Sequence, residues 1–231
     1  LLKFYITAII ACCMLFTAVS SAAVRALQFN RPADTPQARY VIELMSIAYG
    51  NLGYELQIID FNHQSALAAA NNGILDGQLG RISSISHQYK NLNLVNFPLF
   101  EFNLILLKNC DECSFEQLKN IAIQAGYPAA KSYLDNNPYI GEVIRVKSVT
   151  AQLNLLAQKK VEGVLLLDFL LNSKHPRFDL SRFSTEALMP IYSFHFLHKQ
   201  HKNLIPLLEQ QLILLEQDGT VSQLRKKHLS H

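Results

Sequence analysis

Residues 71–84, NNGILDGQLGRISS, carry the pattern that decides the fold. Asn71, Asn72 and Gly73 end the apolar helical run QSALAAANN, since Asn and Gly adopt the left-handed turn that closes a helix. From Asp76, the small and apolar residues of DGQLGRI read as a strand, and Arg81 closes it with a full positive charge. Upstream, AVRALQF (23–29) reads as a first strand, ended by the loop chemistry of NRPADTP. Between Gln37 and Leu52 the apolar residues Tyr40, Val41, Leu44, Ile47, Ala48 and Leu52 recur at helical spacing, with Gly53 as terminator. YELQIIDF (54–61) reads as a strand. The order β-α-β-α-β predicts a parallel sheet with helices on its faces.

The second half repeats that order. FNLILLK (102–108) is an apolar run of strand length. In SFEQLKN, Ser114 and Gln117 stand at capping-box spacing, which predicts a short helix from Ser114. IAIQAG then reads as a strand, YPAAKSYLDNN as a helix with Pro128 in its first turn, EVIRVKS as a strand, VTAQLNLLAQKK as an amphipathic helix and VEGVLLLD as a buried strand. The last segment, from Leu204, reads as two helices broken at Asp218-Gly219. The halves echo each other. Two strands open with an acid and a glycine, Asp76-Gly77 and Glu162-Gly163, and close on a charge, Arg81 and Asp168. The expected architecture is α/β: two lobes, each a mainly parallel sheet flanked by helices.

Composition narrows the function classes. Of 231 residues, 49% are apolar and 17% charged. That is the balance of a globular chain rather than a disordered one. A formal charge of +3, with basic residues scattered apart from Arg225-Lys226-Lys227, argues against a nucleic-acid partner. Residues 1–22 differ from the rest: Lys3 is their single charge, and Ser20 to Ala23 supply the small residues that a signal peptidase requires. A cleaved secretory signal is expected, ending at Ala22 or Ala23; a retained anchor and lipidation at Cys12 are the alternatives. Loss of that one Lys and no acid takes the charge from +3 to +2. It also leaves Cys110 and Cys113, in CDEC, as the remaining cysteines. In an oxidising compartment the pair is expected to form a disulfide, with redox activity or free thiols as the other readings.

In open parallel sheets, ligands sit at the carboxyl ends of strands. Arg81 and Asp168 occupy two such ends. A guanidinium fork suits a planar carboxylate, so Arg81 is a candidate ligand anchor; the other reading is a structural ion pair.

The order and spacing of YVIELMSIAYGNLGYELQII, NNGILDGQLGRISSISHQYKNLNLVNFPLF, SFEQLKNIAIQAG, VKSVTAQLNLLAQKKVEGVLLLD and the C-terminal FHFLHKQHKNLIPLLEQQLILLEQDGTVSQL resemble the family 3 periplasmic solute-binding proteins, which include amino-acid receptors. The resemblance implies a type II periplasmic-binding fold, with lobe 1 from residues 24–101 and 199–231 and lobe 2 from 102–198. The crossings would lie near Phe100–Asn103 and Leu197–Lys199, and a ligand would close the lobes by hinge motion. It implies a periplasmic monomer that binds a small metabolite and serves an ABC importer or a membrane sensor. In the family's amino-acid binders an Arg holds the ligand carboxylate, a Gly-Thr turn adds backbone donors and a second-lobe Asp holds the amine. This chain departs at each point: His87 stands at the usual Arg position, Gly126-Tyr127 replaces the turn, and Leu167 stands where the Asp is expected, one residue before Asp168. The expected ligand residues are therefore Arg81, Asn30, Gly126, Tyr127 and Asp168, and the ligand is a small polar or anionic, amino-acid-like solute.

Other chemistry is weakly signalled. His195, His198 and His201 invite a zinc reading, but YSFHFL looks like strand and the three would not share a face, so no metal is expected. No nucleophile elbow, HExxH or phosphate loop is present, and no cofactor is expected. Glu101, Asp168 and His63 could meet as acid and base, which keeps a lyase- or dehydratase-like enzyme as the alternative to a receptor; a degenerate protein-binding domain is the third reading.

Overall fold

A computed structural model of the chain describes residues 25–62, 65–125, 128–172 and 178–229. The expected signal at 1–22, His63, Gly126 and Tyr127 lie outside the described residues. β1 (Arg25–Asn30) pairs in parallel with β2 (Tyr54–Ile59), and helix α1 (Pro36–Asn51) connects them. α1 starts where Thr35 Oγ1 accepts the Ala38 amide at 3.1 Å and Pro36 supplies a preset φ. Tyr40, Val41, Leu44, Met45 and Ala48 form its buried face. Each large apolar side chain buried there contributes about 1.5–3 kcal/mol, well above the tenths of a kcal/mol by which helix propensities differ. Gly53, at φ 78°, turns the chain into β2. A residue with a side chain would be strained in that left-handed backbone.

Next come α2 (Ala66–Asn71), β3 (Gly77–Ile82) and a long strand β4 (Leu92–Lys108). β5 (Asn120–Gln124), α3 (Pro128–Asn136), β6 (Glu142–Val146), α4 (Val149–Ala157), β7 (Gly163–Leu167) and α5 (Phe169–Asn172) follow. A second long strand, β8 (Ser184–His198), leads to the terminal helices α6 (Ile205–Gln217) and α7 (Thr220–Leu229). Six strands form one sheet in the order β3-β8-β4-β7-β5-β6. Among the described residues, the pairs made by β4 or β8 are antiparallel, whereas β5 pairs in parallel with β6 and β7, as β1 does with β2. Each lobe thus has a parallel core, and two long strands run through both lobes.

The side-chain clusters mark where the lobes change. Val95 and Leu99 of β4 and Leu197 of β8 pack with α1, α6 and α7. Phe102, Leu104 and Leu106 pack with Ile191, Ile121 and Leu165 in the second lobe. Ile105 and Leu107 point to the opposite face, under Leu153 and Leu156 of α4. The unbroken apolar run of FNLILLK follows from this, since both faces of β4 are covered in the second lobe. Phe100 lies against the cores of both lobes. The register sets Ser193 to Pro190 opposite Phe100 to Asn103. Of the expected crossing at Leu197–Lys199, Leu197 is fully buried with α1 and α6, and the preceding Phe196 is fully buried with α2.

Two local expectations change. Both capping-box bonds of Ser114 and Gln117 form, yet they close only a 3-10 turn at Phe115–Gln117, because Leu118 leaves in extended conformation to enter the core. β4 also begins ten residues before FNLILLK, and shifts of register around Pro98 let the proline stay inside it. Cys110 and Cys113 form a disulfide. It sits above a buried lysine, Lys108, whose Nζ donates to Cys113 O at 2.5 Å and to Glu186 Oε2 at 2.8 Å.

Candidate functional site

The Asp76-Gly77 start of β3 is built by close backbone approach. A Cβ on Gly77 would overlap the Phe196 carbonyl oxygen, so this position requires glycine. Asp76 is a junction. Its Oδ2 accepts the Gln28 amide of β1 at 2.6 Å, and its Oδ1 is bonded by Gln200 Nε2 at 3.1 Å and His201 Nε2 at 2.5 Å, in the turn after β8. The acid of the LDG stretch therefore holds β1, β3 and the post-β8 turn together.

Beyond Gln78 the register slips. Gln78 stands opposite Phe196 and Arg81 opposite Phe194, so Leu79 and Gly80 together face the single residue His195. This is a β-bulge, which bends a strand and re-aims its side chains. Its consequence is that four consecutive residues, Gln78 to Arg81, line one cleft, where a regular strand would offer every second residue.

His195 supports the bulge from beneath. Nδ1 lies 3.3 Å from Leu79 O and Nε2 lies 2.7 Å from Tyr49 Oη. A carbonyl oxygen only accepts, so Nδ1 carries the proton, Nε2 accepts, and the Tyr49 hydroxyl donates. Phe29 packs against both rings. Complete burial lowers the His195 pKa to about 4, and burial, with a smaller contribution from Asp76, raises that of Tyr49 well above its usual value. The imidazole is neutral at pH 7.

The cleft has a volume of about 330 Å³. The first lobe gives Asn30, the Pro32–Val41 segment at the start of α1, and Gln78–Arg81; the crossing strand β4 gives Phe100 and the second lobe Phe169. Arg81 donates from Nη1 to Gly80 O at 2.9 Å. Asn30 is buried, and its Oδ1 accepts the Phe61 amide at 3.1 Å. Gln78 is buried too, held by a bond from Nε2 to Ala66 O at 3.0 Å.

The structure brings Arg81 and Asn30 of the expected set to this cleft, while Gly126 and Tyr127 are outside the described residues. Asp168 sits apart from the lining. Its Oδ2 accepts Asn103 N at 3.0 Å and Asn103 Nδ2 at 2.9 Å, and its Oδ1 accepts Phe169 N at 2.6 Å. It fastens the end of β7 to β4, and Phe169 beside it reaches the cleft. His87 is exposed on the turn after β3, and Leu167 is buried in the second-lobe core. The three histidines have separate roles: His195 under the bulge, His198 against Gly73 and His201 on Asp76. Among the described residues no cluster of ligands could hold a metal. Glu101 is exposed on β4. Sequence reasoning missed Phe100, Phe169, Gln78 and the support from His195. For the bulge a signal was present, since Gly80 interrupts a strand next to a charge.

No family model and no curated protein matches the sequence. Solved structures do match over most of both chains. The probable amino-acid ABC transporter extracellular-binding protein ytmK from Bacillus subtilis superposes with a TM-score of 0.67 at 14% identity, covering 89% of this chain and 98% of its own. The substrate-binding protein of an ABC uptake transporter from Streptococcus pneumoniae, with bound histidine, gives 0.66 at 13% identity over 88% and 92%. The chain has the two-lobed fold of the periplasmic binding proteins. An ancestral amino-acid-binding protein, a precursor of cyclohexadienyl dehydratase, gives 0.63 at 13% identity over 89% and 96%. At such identities the likeness speaks for the fold alone. Among the described residues no helix is long and apolar enough to cross a membrane.

Proposed function

We propose that this chain is a divergent member of solute-binding protein family 3, exported to the periplasm through a cleaved signal at residues 1–22. In this reading it captures a small polar or anionic, amino-acid-like solute between its lobes. The observation that carries the reading is the bulge that sets Arg81 in a cleft walled from the first lobe, the crossing strand and the second lobe. Arg81 holds an anionic group of the solute, Asn30 lies beside it, and Gly126 and Tyr127 contribute from lobe 2. Closure about Phe100–Asn103 and Pro190–Ser193 would enclose the solute. The solute then passes to an ABC importer or is reported to a membrane sensor, and the chain acts as a monomer. Two residues of the alternative enzyme reading have other surroundings among the described residues: Asp168 is bonded to Asn103 and Phe169, and Glu101 is exposed.

The test is ligand-dependent melting against a panel of amino acids and organic acids, followed by calorimetry of a hit on wild type and Arg81→Ala. A receptor gains roughly 2.7 kcal/mol at a hundredfold excess over Kd. Arg81→Ala is expected to keep its melting temperature and to lose affinity by roughly thirtyfold to several thousandfold, corresponding to about 2–5 kcal/mol for a broken desolvated charge pair. Arg81→Lys restores part of it, because an ammonium lacks the two-point fork. Unchanged affinity in Arg81→Ala rejects Arg81 as the anchor.

A further inference from the structure

The charges around the cleft specify more than an anion. Arg81 is the one charged residue lining it among the described residues, and no Asp or Glu lines it. All 18 acids of the chain lie within the described residues, so no acid is hidden in residues 1–24, 63–64, 126–127, 173–177 or 230–231. The acids nearest the lining in sequence are engaged or turned away. Asp34 pairs with Arg39 and Asp60 with Arg31, both on the exposed surface. Asp168 is tied by three bonds within its own lobe, so a rigid-body movement of the lobes would not release it. Glu101 follows Phe100 on a regular stretch of β4, so the two side chains leave on opposite faces. Three neutral acceptors at the wall already take one bond each: Asn30 Oδ1 from the Phe61 amide, Thr35 Oγ1 from the Ala38 amide and Gly80 O from the Arg81 guanidinium. Much of the remaining wall is apolar, with Val41, Leu79, Phe100 and Phe169.

An α-amino acid brings an ammonium as well as a carboxylate, and burying an ammonium without an anionic partner is costly. We infer that the preferred solute is a monocarboxylate with an apolar, aromatic or branched body and no ammonium, such as a 2-hydroxy or 2-oxo acid. The carboxylate lies on Arg81 and the body against Phe100 and Phe169. This inference rests on the solute-binding reading of the cleft.

A matched pair of probes tests it on the wild-type chain. 3-Phenyllactate and phenylalanine differ at the α-carbon, where one carries a hydroxyl and the other an ammonium. Calorimetry and melting shifts should show phenyllactate binding roughly ten- to hundredfold more tightly than phenylalanine, with 2-hydroxyisovalerate above valine in the same sense. Phe169→Ala should weaken phenyllactate and leave acetate unchanged. Phenylalanine binding as tightly as phenyllactate, or more tightly, overturns the inference and keeps the solute-binding reading. A chain stabilised by no member of the wider panel, either acid series included, overturns both.

Discussion

The strands that open with Asp76-Gly77 and Glu162-Gly163 begin alike and end differently. At both starts an acid accepts an amide from the neighbouring strand or its approach: Asp76 takes Gln28 N at 2.6 Å, and Glu162 takes Lys119 N at 2.7 Å. At both, a glycine lets another segment come close. At the far ends, β3 bulges and presents Arg81 to the cleft, whereas β7 stays regular and Asp168 turns onto Asn103. The common start serves the sheet in both lobes. The ends are where the lobes diverge, one toward a ligand and one toward the fold.

The glycines give the largest expected effect. A Cβ on Gly77 would meet a backbone oxygen that belongs to the β3–β8 ladder and cannot move alone. Gly77→Ala should therefore cost at least about 4 kcal/mol and lose the native fold. A Cβ on Gly163 would meet the methyl ends of Leu118 and Leu106, at 2.8 and 2.9 Å. Those side chains can shift, so Gly163→Ala should cost about 1–3 kcal/mol and remain folded. Urea unfolding of the two variants measures the difference; equal costs would mean that the two starts are not built as described.

His195 sharpens the comparison next, because the buried side chain under β3 can titrate, whereas the one under β7, Gln152, which donates to Leu165 O at 2.8 Å, cannot. Its folded pKa of about 4 lies below the 6.5 of an unfolded histidine. Between those values the unfolded chain binds a proton that the folded chain refuses. Stability is therefore fully present above about pH 6.5 and falls as the pH drops toward about 4, by about 3 kcal/mol in all. His195→Gln, which has no charge to gain, should be less stable at pH 7 and should flatten that part of the pH profile. Denaturant midpoints from pH 7 to 4.5 read it; parallel profiles for wild type and variant would remove His195 as the cause.

What was legible in the sequence was local. The α1 helix announces itself through its spacing, Thr35 and Gly53, and the break at Gly219, with φ 86°, through its own backbone. The alternation of strand and helix follows from such signals, and it led to the right fold. The site depends on distant partners instead. The bulge exists only against β8, where His195 is 116 residues from Leu79, and the bonding of Asp168 depends on Asn103, 65 residues away. No period or cap records such pairings. A charge at the end of a strand therefore reads alike at Arg81 and Asp168, although one lines the cleft and the other does not. The continuity of β4 through Pro98 was hidden in the same way, by a register that β8 sets.

Asp168 gives the smallest expected effect and the most direct test of the divergence between the ends. In Asp168→Asn the side-chain oxygen can still accept from Asn103, but the amide then faces Phe169 N, a donor against a donor. Loss of one such bond in a half-buried place should cost about 1–2 kcal/mol of stability. The Asn103 bonds lie within the second lobe, and Asp168 is absent from the cleft lining, so affinity for a solute that binds the wild type should stay within about twofold. That is the inverse of Arg81→Ala, where affinity falls and stability holds. Calorimetry and thermal melting on the two variants in parallel give four readings. If Asp168→Asn instead loses affinity at unchanged stability, the carboxylate reaches the solute in the closed state. The two strand ends would then face one ligand from both sides, and the preference for solutes without an ammonium would fail with that result.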